Sequence, residues 1–159
     1  MRIIFSFFGL LFLTSCNIND NSSYKVFEED CWHADSIITL NHNVVDTITK
    51  QNLYLKIRHT TDFEYQNIFL FVDFQEKRDT IEITLSEKNG KWLGSGFGDI
   101  KEVEYCFAKE TIFNSKKTSK VTVEQAMRYG DQPVITNLKE IIALGINIKK
   151  GEDLSLIHI

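Results

Sequence analysis

Leu53-Tyr54-Leu55-Lys56-Ile57-Arg58 decides the fold class of this chain. Leu53, Leu55 and Ile57 alternate with Tyr54, Lys56 and Arg58, the period-two pattern of a strand with one buried and one wet face. Moving outward, Thr60-Thr61-Asp62 reads as a turn. Ile68-Phe69-Leu70-Phe71-Val72-Asp73-Phe74 is apolar on both faces up to Asp73. Such a strand belongs inside a sheet, one face in the core and the other covered. Lys77-Arg78-Asp79 is expected to turn the chain, and Ile81, Ile83 and Leu85 then alternate with Glu82 and Thr84 as a hairpin partner. Lys88-Asn89-Gly90-Lys91 contains Asn-Gly, the strongest short hairpin signal. Trp92-Leu93 restarts a strand, and Gly94, Gly96 and Gly98 break its regularity.

The flanks continue the pattern. Residues 24–29 read as a short edge strand and residues 36–40 as another apolar run. Val103, Tyr105 and Phe107 alternate, as do Val121 and Val123 with Thr122 and Glu124. Gly130-Asp131-Gln132-Pro133 is a turn, and Ile142, Leu144, Ile146 and Ile148 form a long final strand. About eight strands with frequent turns predict an all-β, antiparallel two-sheet sandwich, immunoglobulin-like or jelly-roll-like. A single helical turn fits only over residues 123–127.

The N-terminus carries a different signal. Arg2 is followed by an apolar block over residues 3–13 and then by Leu13-Thr14-Ser15-Cys16. Eleven helical residues rise about 16 Å, far short of the ~30 Å hydrocarbon core. The block is therefore a signal-peptide core over residues 1–15, not a span. Its end resembles the bacterial lipobox, in which the Cys thiol takes a diacylglycerol and the peptide before it is removed. Cys16 is then the acylated first residue, and residues 16–23, polar and without hydrophobic period, are a flexible tether. Several acyl chains make release from a membrane negligible, since each buried methylene contributes about 0.8 kcal/mol. Asp is absent after Cys16, and no acidic run follows. By analogy these features place the domain on the periplasmic face of the outer membrane.

Residues 24–150 make one domain, large enough for a real core. The formal charge is −4, and loss of Arg2 with the leader makes it −5. An acidic surface argues against nucleic acid as a partner. Cys31 and Cys106 remain after Cys16, and a bridge between them is open in an oxidising compartment. Cys106, however, shares a face with Glu102 and Glu104, which favours two unpaired thiols. Leu154-Ser155-Leu156-Ile157-His158-Ile159, within the tail over residues 151–159, is either an extra edge strand or a non-native tail.

No catalytic signature emerges. Gly94-Ser95-Gly96-Phe97-Gly98-Asp99 lacks the helix a phosphate-binding loop needs, because residues 101–107 alternate like a strand. It reads as a bulged turn whose glycines take positive φ. His33, His42 and His59 have no metal-ligand spacing, so neither a metal nor another cofactor is expected. Glu28-Glu29-Asp30 reads as a solvated edge that discourages strand pairing rather than half of a glycosidase pair. Trp92 and Phe97 flank the glycine stretch. Exposed together with Arg128 they would suit a protein partner; the alternative is that both rings are core.

Several blocks together resemble the GldH family of gliding-motility lipoproteins from Bacteroidetes. They are the lipobox at Cys16, Asn52-Leu53-Tyr54-Leu55-Lys56-Ile57-Arg58, Tyr65-Gln66-Asn67-Ile68-Phe69-Leu70-Phe71-Val72, Asp79-Thr80-Ile81-Glu82, Gly90-Lys91-Trp92-Leu93-Gly94-Ser95-Gly96-Phe97-Gly98-Asp99-Ile100 and Val123-Glu124-Gln125-Ala126-Met127-Arg128. The resemblance implies a non-enzymatic envelope component needed for gliding and tied to the type IX secretion machinery, with other motility or secretion proteins as partners. Two competing readings stand beside it. A glycan-binding lipoprotein would show a row of exposed aromatics, and a hydrolase would need a pocket with convergent polar groups.

Overall fold

Alternation on this scale folds as strands, and the computed structural model describes residues 23–115 and 117–151. The leader, Cys16, most of the tether and the tail beyond Gly151 lie outside the described residues. Ten strands follow in order: β1 (Ser23–Val26), β2 (Cys31–His33), β3 (Ile38–Asn43), β4 (Gln51–Thr60), β5 (Asn67–Phe74), β6 (Lys77–Thr84), β7 (Ile100–Thr111), β8 (Thr118–Gln125), β9 (Asn137–Lys139) and β10 (Ile141–Lys150). One antiparallel sheet has the order β1-β10-β4-β7 and a second β3-β8-β5-β6, while β2 and β9 pair as a ribbon. The two four-stranded sheets pack as the expected sandwich. The strands number ten, two more than the patterning indicates, because β2 and β9 are too short to show a period.

The core is built from inward positions of both sheets. Leu55 and Ile57 of β4, Ile68 and Leu70 of β5 and Leu144 of β10 are fully buried. Removing such side chains from water is worth about 1.5–3 kcal/mol each. A second small cluster of Val44, Leu53 and Phe113 closes one end of the sandwich, with Phe74 and Ile148 packed on it. The ends are thereby distinguishable: a closed end at Lys50, Phe74 and Phe113, and a loop end at His59, Leu85 and Met127.

Five local expectations are corrected. The turn placed at Lys77-Arg78-Asp79 lies two residues earlier, at Gln75 and Glu76, both in the left-handed region with φ 50 and 63. That is the two-residue hairpin geometry whose twist matches the strands, here without the Gly or Asn that signals it. Trp92-Leu93 makes only a bridge to Ser86 and a bond from Leu93 N to Leu85 O, 2.8 Å, not a strand. The final strand is bulged between Ile141 and Ala143. The bulge turns Ile141 into the core in place of Ile142, while Leu144 and Ile146 stay inside. Residues 28–30 form a 3-10 turn rather than continuing the edge strand, and residues 123–127 hold no helical turn, since 123–125 complete β8.

The bridge left open between Cys31 and Cys106 is not made; both are free thiols. Cys31 lies on the ribbon, opposite Lys139. Cys106 lies on β7, opposite Tyr54 on the outer face of its sheet, and its Sγ is 3.6 Å from the Ala108 carbonyl. β5 does sit between β8 and β6, but its second face, Phe69 and Phe71, is only half covered. The Arg78 guanidinium lies over the Phe71 ring at 4.7 Å.

Truncating the fully buried Leu55 to Ala is expected to cost about 2–5 kcal/mol. Urea unfolding of the parent and L55A chains measures this directly.

Candidate interaction surface

Three crossings between sheets gather at the loop end: residues 61–66, residues 85–99 and residues 126–136. The second begins as the tight turn that Asn-Gly signals. Glu87 N donates to Lys91 O at 2.8 Å, Gly90 N donates to Glu87 O at 2.9 Å, and Asn89 Oδ1 accepts from Lys91 N at 2.9 Å. The turn folds Trp92 back against His59, ring centroids 4.9 Å apart. Trp92 is half-buried and packed on the core.

The glycine stretch then runs along the free edge of β7. Ser95 N donates to Glu102 O at 3.0 Å, and Glu102 N returns a bond to Ser95 O at 2.7 Å. A Cβ on Gly94 would lie 2.1 Å from Glu102 O, and one on Gly96 2.0 Å from Ile100 O. Both glycines also have positive φ, so close approach and conformation each require Gly here. The stretch is an edge guard rather than a phosphate loop, and strand β7 follows it directly. At its tip Phe97 is 96% exposed.

The third crossing explains the Glu-Gln-Ala-Met-Arg block. Gln125 is buried, donates from Nε2 to Ile135 O at 2.6 Å and accepts on Oε1 from Met127 N at 2.9 Å. Ile135 N donates to Met127 O at 3.0 Å, and Met127 itself is in the core. This pinning leaves Arg128 and Tyr129 exposed. Behind them runs a ladder of rings: Tyr129 to Tyr65 at 6.0 Å, Tyr65 to Phe63 at 5.5 Å, Phe63 to His59 at 5.8 Å. Trp92, Phe97 and Arg128 thus share one end of the molecule. Phe97 and Arg128 face solvent there, while Trp92 packs inward on His59 and the core.

His59 is the residue that sequence reasoning undervalued. It is fully buried, with Nδ1 2.7 Å from the Thr60 carbonyl. Nδ1 therefore carries the proton, and Nε2 is a buried acceptor without a partner among the described residues. Burial pushes the imidazole pKa down. No pattern of spacing marks it, because its role comes from rings distant in sequence.

The outer face of the β1-β10-β4-β7 sheet holds a second polar cluster. Glu102 accepts from Arg58 Nη2 at 2.8 Å and from Tyr24 Oη at 2.9 Å, with Lys56 Nζ at 3.4 Å. The Arg58 guanidinium also stacks over Tyr24 at 4.9 Å. Burial raises the Glu102 pKa, but the donors from Arg58 and Tyr24 and the charge of Lys56 outweigh it and hold the carboxyl low. The cluster ties β1, β4 and β7 together. Gly145 makes room for it, since a Cβ there would sit 2.6 Å from the Tyr24 ring.

A cleft of about 290 Å³ opens between β6 and β7, walled by Val72, Phe74, Ile81 and Phe107. Its charged rim includes Lys77 and Asp79, paired at 2.8 Å. Among the described residues no group of His, Cys, Asp and Glu is placed to hold a metal.

The GldH lipoprotein family model matches residues 20–148. A gliding motility lipoprotein GldH homolog of Christiangramia forsetii is 32% identical over 164 aligned residues, covering 96% of this chain and all of the relative. The gliding motility lipoprotein GldH of Flavobacterium johnsoniae is 30% identical over 91% of this chain and 96% of its own. No solved structure matches.

Two titrations should appear in the stability of the fold. His59 has a lowered folded pKa, so its contribution is complete above the ordinary histidine pKa of about 6.5 and is lost as pH falls below it. His42 is shifted the same way by burial. Glu102, also lowered, contributes above the ordinary carboxylate pKa and loses that contribution at still lower pH. Melting temperature against pH should therefore fall in two steps, and a His42→Gln, His59→Phe chain should lose the upper one.

Proposed function

Because the chain belongs to the GldH lipoprotein family, we propose that it is a lipid-anchored, non-enzymatic component of the cell envelope, needed for gliding motility and associated with type IX secretion machinery. It sits on the periplasmic face of the outer membrane, fastened through acyl chains on Cys16. Its work is to hold a neighbouring envelope protein at the loop end.

The observation that carries this reading is the match to gliding-motility relatives over more than nine-tenths of the chain. The loop end adds a physical rationale. Phe97 is an almost fully exposed aromatic on a guarded, well-bonded arm, with Tyr129 and Arg128 on a pinned loop at the same end. Rigid aromatic and arginine side chains lose little entropy on docking and dominate protein interfaces. The glycan-binding alternative asks for a row of exposed rings. Among the described aromatics only Phe97 and Tyr129 are exposed, and the remainder are half or fully buried.

Two measurements check the proposal. Cys16→Ala is expected to abolish fatty-acid labelling, leave an uncleaved precursor and stop colony spreading; normal labelling and spreading would contradict it. A Phe97→Ser, Tyr129→Ser chain should keep its stability within about 0.5 kcal/mol. It should nonetheless lose envelope proteins from in-cell crosslinks; an unchanged crosslink pattern would count against the loop end.

A further inference from the structure

The two ends of the sandwich carry opposite charge. Residues 27–37, 61–67, 84–99 and 126–140, which form the loop end, contain ten acidic and four basic side chains. At the closed end Lys50, Lys77, Lys109, Lys117, Lys149 and Lys150 are exposed, against the acids Asp46, Glu76, Asp79 and Glu110. Lys50 pairs with Glu110 at 3.1 Å, Lys77 with Asp79 at 2.8 Å and Lys149 with Glu104. Among the described residues Lys109 and Lys117 enter no ion pair, and Lys150 acts through its charge on Asp46. A chain with a net charge of −4 thus presents a basic end.

Apolar tips stand among these lysines. Ile48 is 86% exposed, Val45 71% and Ile112 49%. The loop bearing Ile48 is held in place. Asp46 accepts from the Thr49 hydroxyl, from Ile48 N at 2.8 Å and from Thr49 N at 3.0 Å, and Gln51 Nε2 donates to Asp46 O at 2.7 Å. These bonds, the Thr49 hydroxyl first, lower the Asp46 pKa to about 2. The ordered turn thus holds Ile48, with Val45 on the same loop, as an apolar tip among the lysines.

The entry of the chain gives the direction. β1 begins at Ser23 opposite Ile146 and runs to Val26 opposite Ala143, toward the loop end. The polypeptide therefore comes into the sandwich from the basic side. From Ser23 to the level of Lys150 is about 14 Å of strand. The seven steps from Cys16 to Ser23 span up to about 24 Å. That is enough to lay the closed end on the surface that holds the acyl chains, and the strand enters facing away from that surface.

We propose that the lysine-rich closed end rests on a leaflet bearing anionic phospholipids. Its lysines meet headgroup phosphates, and Ile48, Val45 and Ile112 enter the interface. The orientation rests on acylation at Cys16; the surface itself does not, and can be tested without it. Every core residue lies between Phe27 and Ile148. The chain from residue 16 onward with Cys16→Ser therefore keeps the whole fold and has no acyl group.

The test is sedimentation of that chain with vesicles of phosphatidylglycerol in phosphatidylethanolamine, and with phosphatidylcholine vesicles as the neutral arm. Binding is expected to the anionic vesicles, at least tenfold above the neutral ones, and to weaken as salt rises. Lys109→Glu, Lys117→Glu, Lys150→Glu together should weaken it on the order of a hundredfold or more. Ile48→Ser should weaken it severalfold with the salt dependence intact. Melting curves confirm folding, and the corresponding Lys→Gln triple should bind at an intermediate level. Equal binding to both vesicle types, or triple variants that bind like the parent, would overturn the proposal. So would capture of an acidic protein by this end while vesicles go unbound. Fatty-acid labelling of Cys16 is read separately, so a failure here and a failure of anchoring are distinguishable.

Discussion

Everything in this molecule depends on two strands facing each other across the core. β4 directs Leu53, Leu55 and Ile57 inward, and β5 answers with Ile68, Leu70 and Val72. Each strand has a partner on both sides, so neither can slip without turning its whole apolar set to water. With that register held, the connections between sheets must run across the two ends. The ends then become the places where composition is free to differ.

They differ in kind as well as in charge. At the loop end the core continues outward as rings, from Trp92 and His59 through Phe63 and Tyr65 to Tyr129. The glycine arm folds back on β7 and covers the first part of an edge that would otherwise invite pairing with another chain. At the closed end a small cluster of Val44, Leu53 and Phe113 seals the core beneath a lysine-bearing surface. The polypeptide enters from that side, and the Tyr24–Glu102–Arg58 cluster clamps the entering strand to the sheet.

Much of this was legible in the residues. The alternation of β4, β6 and β8, the central place of β5 and the turn at Asn89-Gly90 follow from period and turn chemistry. Other features do not leave a local trace. The bulge at Ile141–Ala143 exchanges which isoleucine is buried, and nothing in Ile-Ile-Ala announces it. Gln75-Glu76 turns the chain with residues that seldom take positive φ, because hairpin twist outweighs the local cost. The ribbon of β2 and β9 is three residues long on each side. Of the candidate site, Phe97 and Arg128 could be picked out, yet His59, Tyr65 and Tyr129 join it only through contacts between distant segments. The charge difference between the ends is invisible along the sequence, since acids and lysines are sorted by topology and not by position.

The account makes the sandwich a polar body with a fixed bearing: basic end toward lipid, aromatic end toward a protein neighbour. A photo-crosslinking side chain placed at residue 48 or at residue 97 of the anchored protein in living cells reads that bearing most directly. The account predicts lipid adducts from residue 48 and protein adducts from residue 97. The reverse pattern, or protein adducts of the same size from both positions, would contradict it.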